Sequence, residues 1–198
     1  WLVHKIFGQW SRVLEIKRPA EGAPYLSGMW AYTQGSARIA QRAFSQAREH
    51  LAQLEALVEL SRRDTGQAGA TPNARILELA ALSLRGELLE ATGDLDGAIK
   101  AFEAGVALED LNNYTEPPDW PQPLRHYLGA ALLKANRAAD AEAVYRRDLQ
   151  WNHNNGWSLL GLQQALLAQG KTEAAKVVKT AFDTAWQYSN ITLERSHL

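Results

Sequence analysis

Apolar residues recur at three- and four-residue spacing along almost the whole chain, and no stretch alternates with period two for long. That pattern predicts helices and argues against a sheet-based core. Three loops interrupt it, at 17–24, 65–72 and 111–123, the last with four prolines in thirteen residues. Three shorter breaks fall at Gly93-Asp94, Asn136-Arg137 and Gly170-Lys171. Each leaves room only for a tight turn between antiparallel helices. The elements predicted are nine helices at 2–16, 26–41, 44–64, 73–92, 95–109, 122–135, 138–150, 156–169 and 172–190.

The breaks share a frame. Seven residues before them stand Gly86, Gly129 and Gln163; five after them stand Ala98, Ala141 and Ala175; four further on stand Phe102, Tyr145 and Lys179. An earlier segment fits the same frame with Gly35, Ala47 and Leu51. Small residues at facing positions let two helix axes approach, and the aromatic one turn along fills the space toward the next helix. A single pair cannot bury its apolar face alone, whereas stacked pairs bury it against neighbours. The steps are uneven at 51, 43 and 34 residues, and Lys179 stands where an aromatic is expected. A non-repeat helical bundle is the alternative.

This frame resembles the tetratricopeptide repeat. The stretches Phe7-Gly-Gln-Trp-Ser-Arg-Val-Leu14, Thr115-Glu-Pro-Pro-Asp-Trp120, Leu128-Gly-Ala-Ala-Leu-Leu133, Ala141-Glu-Ala-Val-Tyr-Arg146 and Asn155-Gly-Trp-Ser-Leu-Leu-Gly-Leu162 resemble the C-terminal portion of a bacterial tetratricopeptide-repeat family of unassigned activity. The resemblance implies an all-α, right-handed α-solenoid of antiparallel helix pairs. It implies further repeats upstream and supplies no catalytic residue. The organisation expected is one array over 1–198: an orphan helix and loop at 1–22, repeats at 23–72 and 73–110, an insertion loop at 111–123, and repeats at 124–154 and 155–198, the last including a C-terminal cap. Trp1 is not an initiator, and the expectation is a chain cut from a longer one.

In such an array the first helix of each pair lines a groove. Counting from the aligned glycines, the groove candidates are Tyr32, Ser36, Ser83, Glu87, Glu90, His126 and Gln164. Aromatic, acidic and amide groups in that mixture suit an extended peptide, whose backbone needs polar partners. The 114–123 loop supplies a second set, Tyr114, Glu116, Asp119 and Trp120. It reads either as a lid over the groove or as a segment that its two aromatics pin to the helices.

Composition removes other classes. Without cysteine there is no disulfide, thiolate metal site or cysteine nucleophile. The five histidines show no metal-ligand spacing, and there is no Walker-type, GxGxxG or GxSxG motif. The expectation is no enzyme, no cofactor and no metal. Net charge is −1, with +3 over 1–70, −7 over 71–120 and +3 over 121–198, so no continuous basic stripe exists for nucleic acid. No apolar run reaches the ~18 residues of a membrane span. The sequence fixes no compartment. The sequons at Asn113 and Asn190 are short enough to arise by chance. The function expected is a protein–protein interaction scaffold that binds a peptide or protein segment in its groove; the alternative is a small-ligand or metabolite sensor with the 114–123 loop as lid. Apolar Ile6, Phe7 and Trp10 on the first helix also offer a surface for a dimer.

Overall fold

The structure, a computed structural model, describes residues 1–20, 24–63, 72–112 and 115–197. Among the described residues the regular structure is helical, with no strand. The helices are α1 (Leu2–Ile6), α2 (Trp10–Glu15), α3 (Pro24–Ala40), α4 (Phe44–Arg63), α5 (Pro72–Thr92), α6 (Leu95–Glu109), α7 (Leu124–Lys134), α8 (Ala138–Trp151), α9 (Gly156–Ala168) and α10 (Thr172–Trp186). They form two compact units, Trp1–Pro121 and Gln122–Leu198. The boundary falls inside the loop predicted at 111–123.

In the first unit α3 packs on α4, α4 on α5, α5 on α6, and α3 directly on α5. The second repeats the scheme, with α7 on α8, α8 on α9, α9 on α10, and α7 directly on α9. In each unit, then, alternate helices touch as well as consecutive ones.

Five helix ends carry the same device, the first of them at Gly8. Arg42, Gly93, Asn136 and Gly170 all have positive φ, between 59° and 95°. Each donates its N–H three residues back, and the next residue donates five back: Arg42 to Ile39 and Ala43 to Arg38 at 2.8 Å, Asn136 to Leu133 at 3.0 Å and Arg137 to Leu132 at 2.8 Å. Gly93–Asp94 and Gly170–Lys171 follow the same pattern. These are Schellman caps, which satisfy the last carbonyls and turn the chain sharply. Gly and Asn take the left-handed conformation cheaply; Arg42 takes it at about 1 kcal/mol.

The small-residue seats are filled by rings. A Cβ placed on Gly86 would overlap the Phe102 ring, and one on Gly129 or on Gly161 would overlap the Tyr145 ring. Tyr145 on α8 therefore lies between α7 and α9, and both rings are fully buried. Gly35 departs from the frame, since its Cβ would meet Leu84 of α5 rather than the following helix. The first pair thus uses its glycine for the approach of α3 to α5.

Two predicted helices differ. The single helix at 2–16 is two, because Gly8 takes φ 61° and caps α1 in the same way, with Gly8 donating to Lys5 at 3.0 Å and Gln9 to His4 at 2.8 Å. The last helix ends at Trp186 rather than 190. There the indole donates to the Ile191 carbonyl at 2.7 Å, and the chain leaves helical geometry. Trp186 also packs edge-on against Trp157 at 5.7 Å and over Gly156, while Lys176, Lys179 and Asp183 stay exposed.

Candidate functional site

In the first unit the predicted groove positions sit on α3 and α5. Tyr32 and Ser83 are fully buried, and Glu90 is 7% exposed. Ser83 donates to Glu87 Oε1 at 3.0 Å and lies 3.1 Å from the Tyr32 hydroxyl. A serine has one proton, so with Ser83 committed to the carboxylate the Tyr32 hydroxyl donates to Ser83. Burial, and secondarily the charge of Glu87, raises the Tyr32 phenol above its ordinary value against the opposing pull of Lys5, so it keeps its proton. Ser36 donates back to the Tyr32 carbonyl at 3.2 Å within its own helix and offers nothing to a ligand.

This face is occupied. Lys5, the one buried side chain of α1, is 2% exposed, and its ammonium lies 3.2 Å from Glu87 Oε1 and 4.8 Å from the Tyr32 ring centroid. The Gly8 cap turns α1 back toward α3, and α2 is tied there by Gln34 donating to the Val13 carbonyl at 2.6 Å and Trp30 to the Ile16 carbonyl at 2.9 Å. From the loop, Trp120 is 5% exposed and its ring centroid lies 5.5 Å from that of Tyr32. Asp119 and Glu116 are exposed. Tyr25 has its phenol raised by burial and by the nearby Asp119 charge. Tyr114 lies outside the described residues.

The second unit places His126 on α7, 1% exposed, with Nε2 3.3 Å from Asp148 Oδ2. Ser158 donates to the same oxygen at 2.5 Å and Asn152 to Oδ1 at 3.0 Å. Burial pushes the Asp148 carboxyl up, but the hydrogen bonds and charge of its partners outweigh it and the net shift is downward. Serine, histidine and aspartate meet here without the geometry of a nucleophile, because Ser158 is bonded to the carboxylate and not to the imidazole.

This face is also occupied, by residues 193–197. Ser196 donates to the His126 carbonyl at 2.7 Å and accepts from the Tyr145 hydroxyl at 2.7 Å. The His197 ring stacks on Tyr127 at 4.4 Å, and Gln164 donates to the Glu194 carbonyl at 2.7 Å. Leu193 is buried beside them.

Of the seven groove candidates, Tyr32, Ser83 and Glu87 therefore meet one another in the first unit, and His126 and Gln164 meet the chain's own C-terminal segment in the second. Lys5, Tyr145, Asp148 and Ser196 were not singled out from sequence as site residues. Tyr145 carried a signal, its place in the repeat frame; Lys5 and Ser196 carried none, since their partners lie far along the chain, and Asp148 carried none because its nearer partners, Asn152 and Ser158, form no motif with it.

Elsewhere, an open cleft of about 570 Å³ on the outer side of α10 is lined by Asn154, Val177, Thr180, Ala181, Thr184 and Ala185. Among the described residues no group of three or more His, Asp or Glu side chains is placed to hold a metal ion, and no helix is long and apolar enough to cross a membrane. Fold and site together define an all-helical protein of consecutively packed helices, several of them ended by Schellman caps, with buried polar clusters on α3, α5, α7 and α8. Comparison with family models, with curated proteins and with solved structures finds no match.

Proposed function

We propose that the chain is a tetratricopeptide-like set of antiparallel helix pairs that binds protein or peptide segments, without catalysis, on the face of α3 and α5 in the first unit and on that of α7 and α9 in the second. The repeated Schellman caps and the ring-filled glycine seats support the repeat reading. The observation that carries the binding reading is the nature of the occupants. Each face already holds a short chain segment through buried polar groups, a lysine at Glu87 and a serine at His126. Surfaces that accept a peptide segment in this manner have the partners a peptide in trans would need.

The same occupancy favours a second reading, a structural spacer whose faces are filled for good by its own segments. The lid reading of the loop has less support, because Trp120 is seated on Tyr32 as a pin would be. A labelled peptide library presented to the chain separates the two main readings. The binding reading expects discrete binders that weaken with Glu87→Gln or His126→Ala. A library with no binder above background, for the wild-type chain and for a chain lacking 191–198, supports the spacer.

A further inference from the structure

The side chain that α1 buries is its lysine, while Val3, Phe7 and Trp1 around it stay 62%, 40% and 38% exposed. A five-residue helix has little stability of its own. Burying an ammonium is costly unless it is paired. Leu2 and Ile6 are half-buried, so the docking of α1 combines partial apolar burial with a charged contact at its most buried side chain.

The host is built without the guest. Tyr32 is in a 17-residue helix and Ser83 and Glu87 in a 21-residue one, and α3 and α5 pack on each other directly. The Tyr32–Ser83–Glu87 chain of hydrogen bonds points the carboxylate at the place where the ammonium sits. The Tyr32 ring face supplies a second attraction for a cation. Glu90, one turn further along α5 and 7% exposed, adds negative charge to the same helix.

The geometry also discriminates among cations. Glu87 Oε1 accepts from both Ser83 and Lys5, so the carboxylate does not present two unengaged oxygens to a planar fork. A compact ammonium on a flexible stem fits this arrangement, whereas a guanidinium loses its bidentate advantage.

We propose that the Tyr32–Ser83–Glu87 pocket is a lysine-recognition subsite, that Lys5 is its occupant in cis, and that a partner segment with a lysine between apolar residues takes the pocket when α1 swings out about Gly8. The proposal rests on the binding reading above. A tethered guest competes at an effective concentration in the millimolar range, so the free chain masks the affinity of the site for a partner.

The test is fluorescence anisotropy with a labelled, end-blocked peptide of residues 1–8, and with the same peptide carrying Arg or Met in place of the lysine. Each is titrated into the whole chain, wild type and Lys5→Met. The expected result is that Lys5→Met binds the lysine peptide about tenfold or more tightly than wild type does, the tether having been removed. The Arg and Met peptides bind weakly, and adding Glu87→Gln erases the preference. Equal binding of the three peptides by folded Lys5→Met, or binding of none, overturns the proposal.

Should Lys5→Met unfold, amide exchange on the wild-type chain decides. Exchange across residues 2–6 that rises under saturating lysine peptide supports displacement; unchanged exchange overturns it. Library binders that lack lysine and survive Glu87→Gln sink the lysine subsite while leaving the binding reading intact. No binder of any kind sinks both.

Discussion

In the first unit the group that enters the face of α3 and α5 is a cation; in the second the group that enters the face of α7 is a serine hydroxyl. Lys5 meets a carboxylate and a ring face, at 3.2 Å and 4.8 Å. Ser196 meets a backbone carbonyl and a phenol, both at 2.7 Å. The first contact selects for charge. The second selects for a small hydroxyl and a chain direction, helped by Gln164 reading the Glu194 carbonyl and by the Tyr127–His197 stack. Similar helix packing in the two units thus hosts two kinds of intramolecular contact, and the side chains on alternate helices make the difference.

The largest effect expected is at the ring that serves both packing and recognition. Tyr145→Ala removes a fully buried ring from between Gly129 and Gly161 and leaves Ser196 without its donor. Urea unfolding followed by circular dichroism should show a loss of about 3–5 kcal/mol. Phe102→Ala opens a similar space in the first unit with no polar loss, so it should fall at the low end of that range. A cost for Tyr145→Ala below that of Phe102→Ala would mean that the hydroxyl relay adds nothing.

Next come the guests themselves. Lys5→Ala leaves Glu87 as a part-buried charge without its cation, a loss of up to about 3 kcal/mol that release of α1 into water reduces. Ser196→Ala removes one hydrogen-bond partner of the buried Tyr145 hydroxyl, at a cost of about 1–2 kcal/mol. Thermal unfolding of both variants at two salt concentrations sharpens the contrast. The Lys5 contact should respond more to salt than the neutral Ser196 relay, though burial limits the response.

The smallest effect is acid sensitivity. Lys171 first, then Arg146, hold the Glu142 carboxyl down at about 2, and the partners of Asp148 hold it below its ordinary value too. Both folded-state values are depressed. Their stabilisation is therefore complete above the ordinary carboxylate range and is lost as pH falls from about 4.5 toward 2. Melting temperatures measured from pH 6 to 2 should fall through that window, and the fall should be shallower in Glu142→Gln. An equal slope in both would remove Glu142 from the acid response.

Much of the helical order could be read from the chain. Gly93, Asn136 and Gly170 marked three of the five Schellman turns, and Ala98–Phe102 and Ala141–Tyr145 marked the seats. Arg42 gave no local signal, because arginine is an unusual left-handed residue; only the frame placed a break there. Gly8 was visible, but the apolar periodicity on both sides outweighed it. On the recognition faces, the host side chains followed from counting along helices, which is local arithmetic. The guests did not, since Ser196 meets His126 across 70 residues of sequence and no periodicity encodes a side chain that arrives from so far away. Asp148 was missed although Asn152 and Ser158 lie only four and ten residues on, because no spacing motif ties the three to His126.

The central claim is that short segments of this chain sit as guests on faces built by other helices. Amide hydrogen exchange on the whole chain tests it most directly, comparing wild type with Ser196→Asp. The account predicts that residues 193–197 exchange at least about tenfold more slowly in wild type than in the variant, while α7 and α9 stay protected in both. Exchange of 193–197 at the same fast rate in both proteins would contradict it.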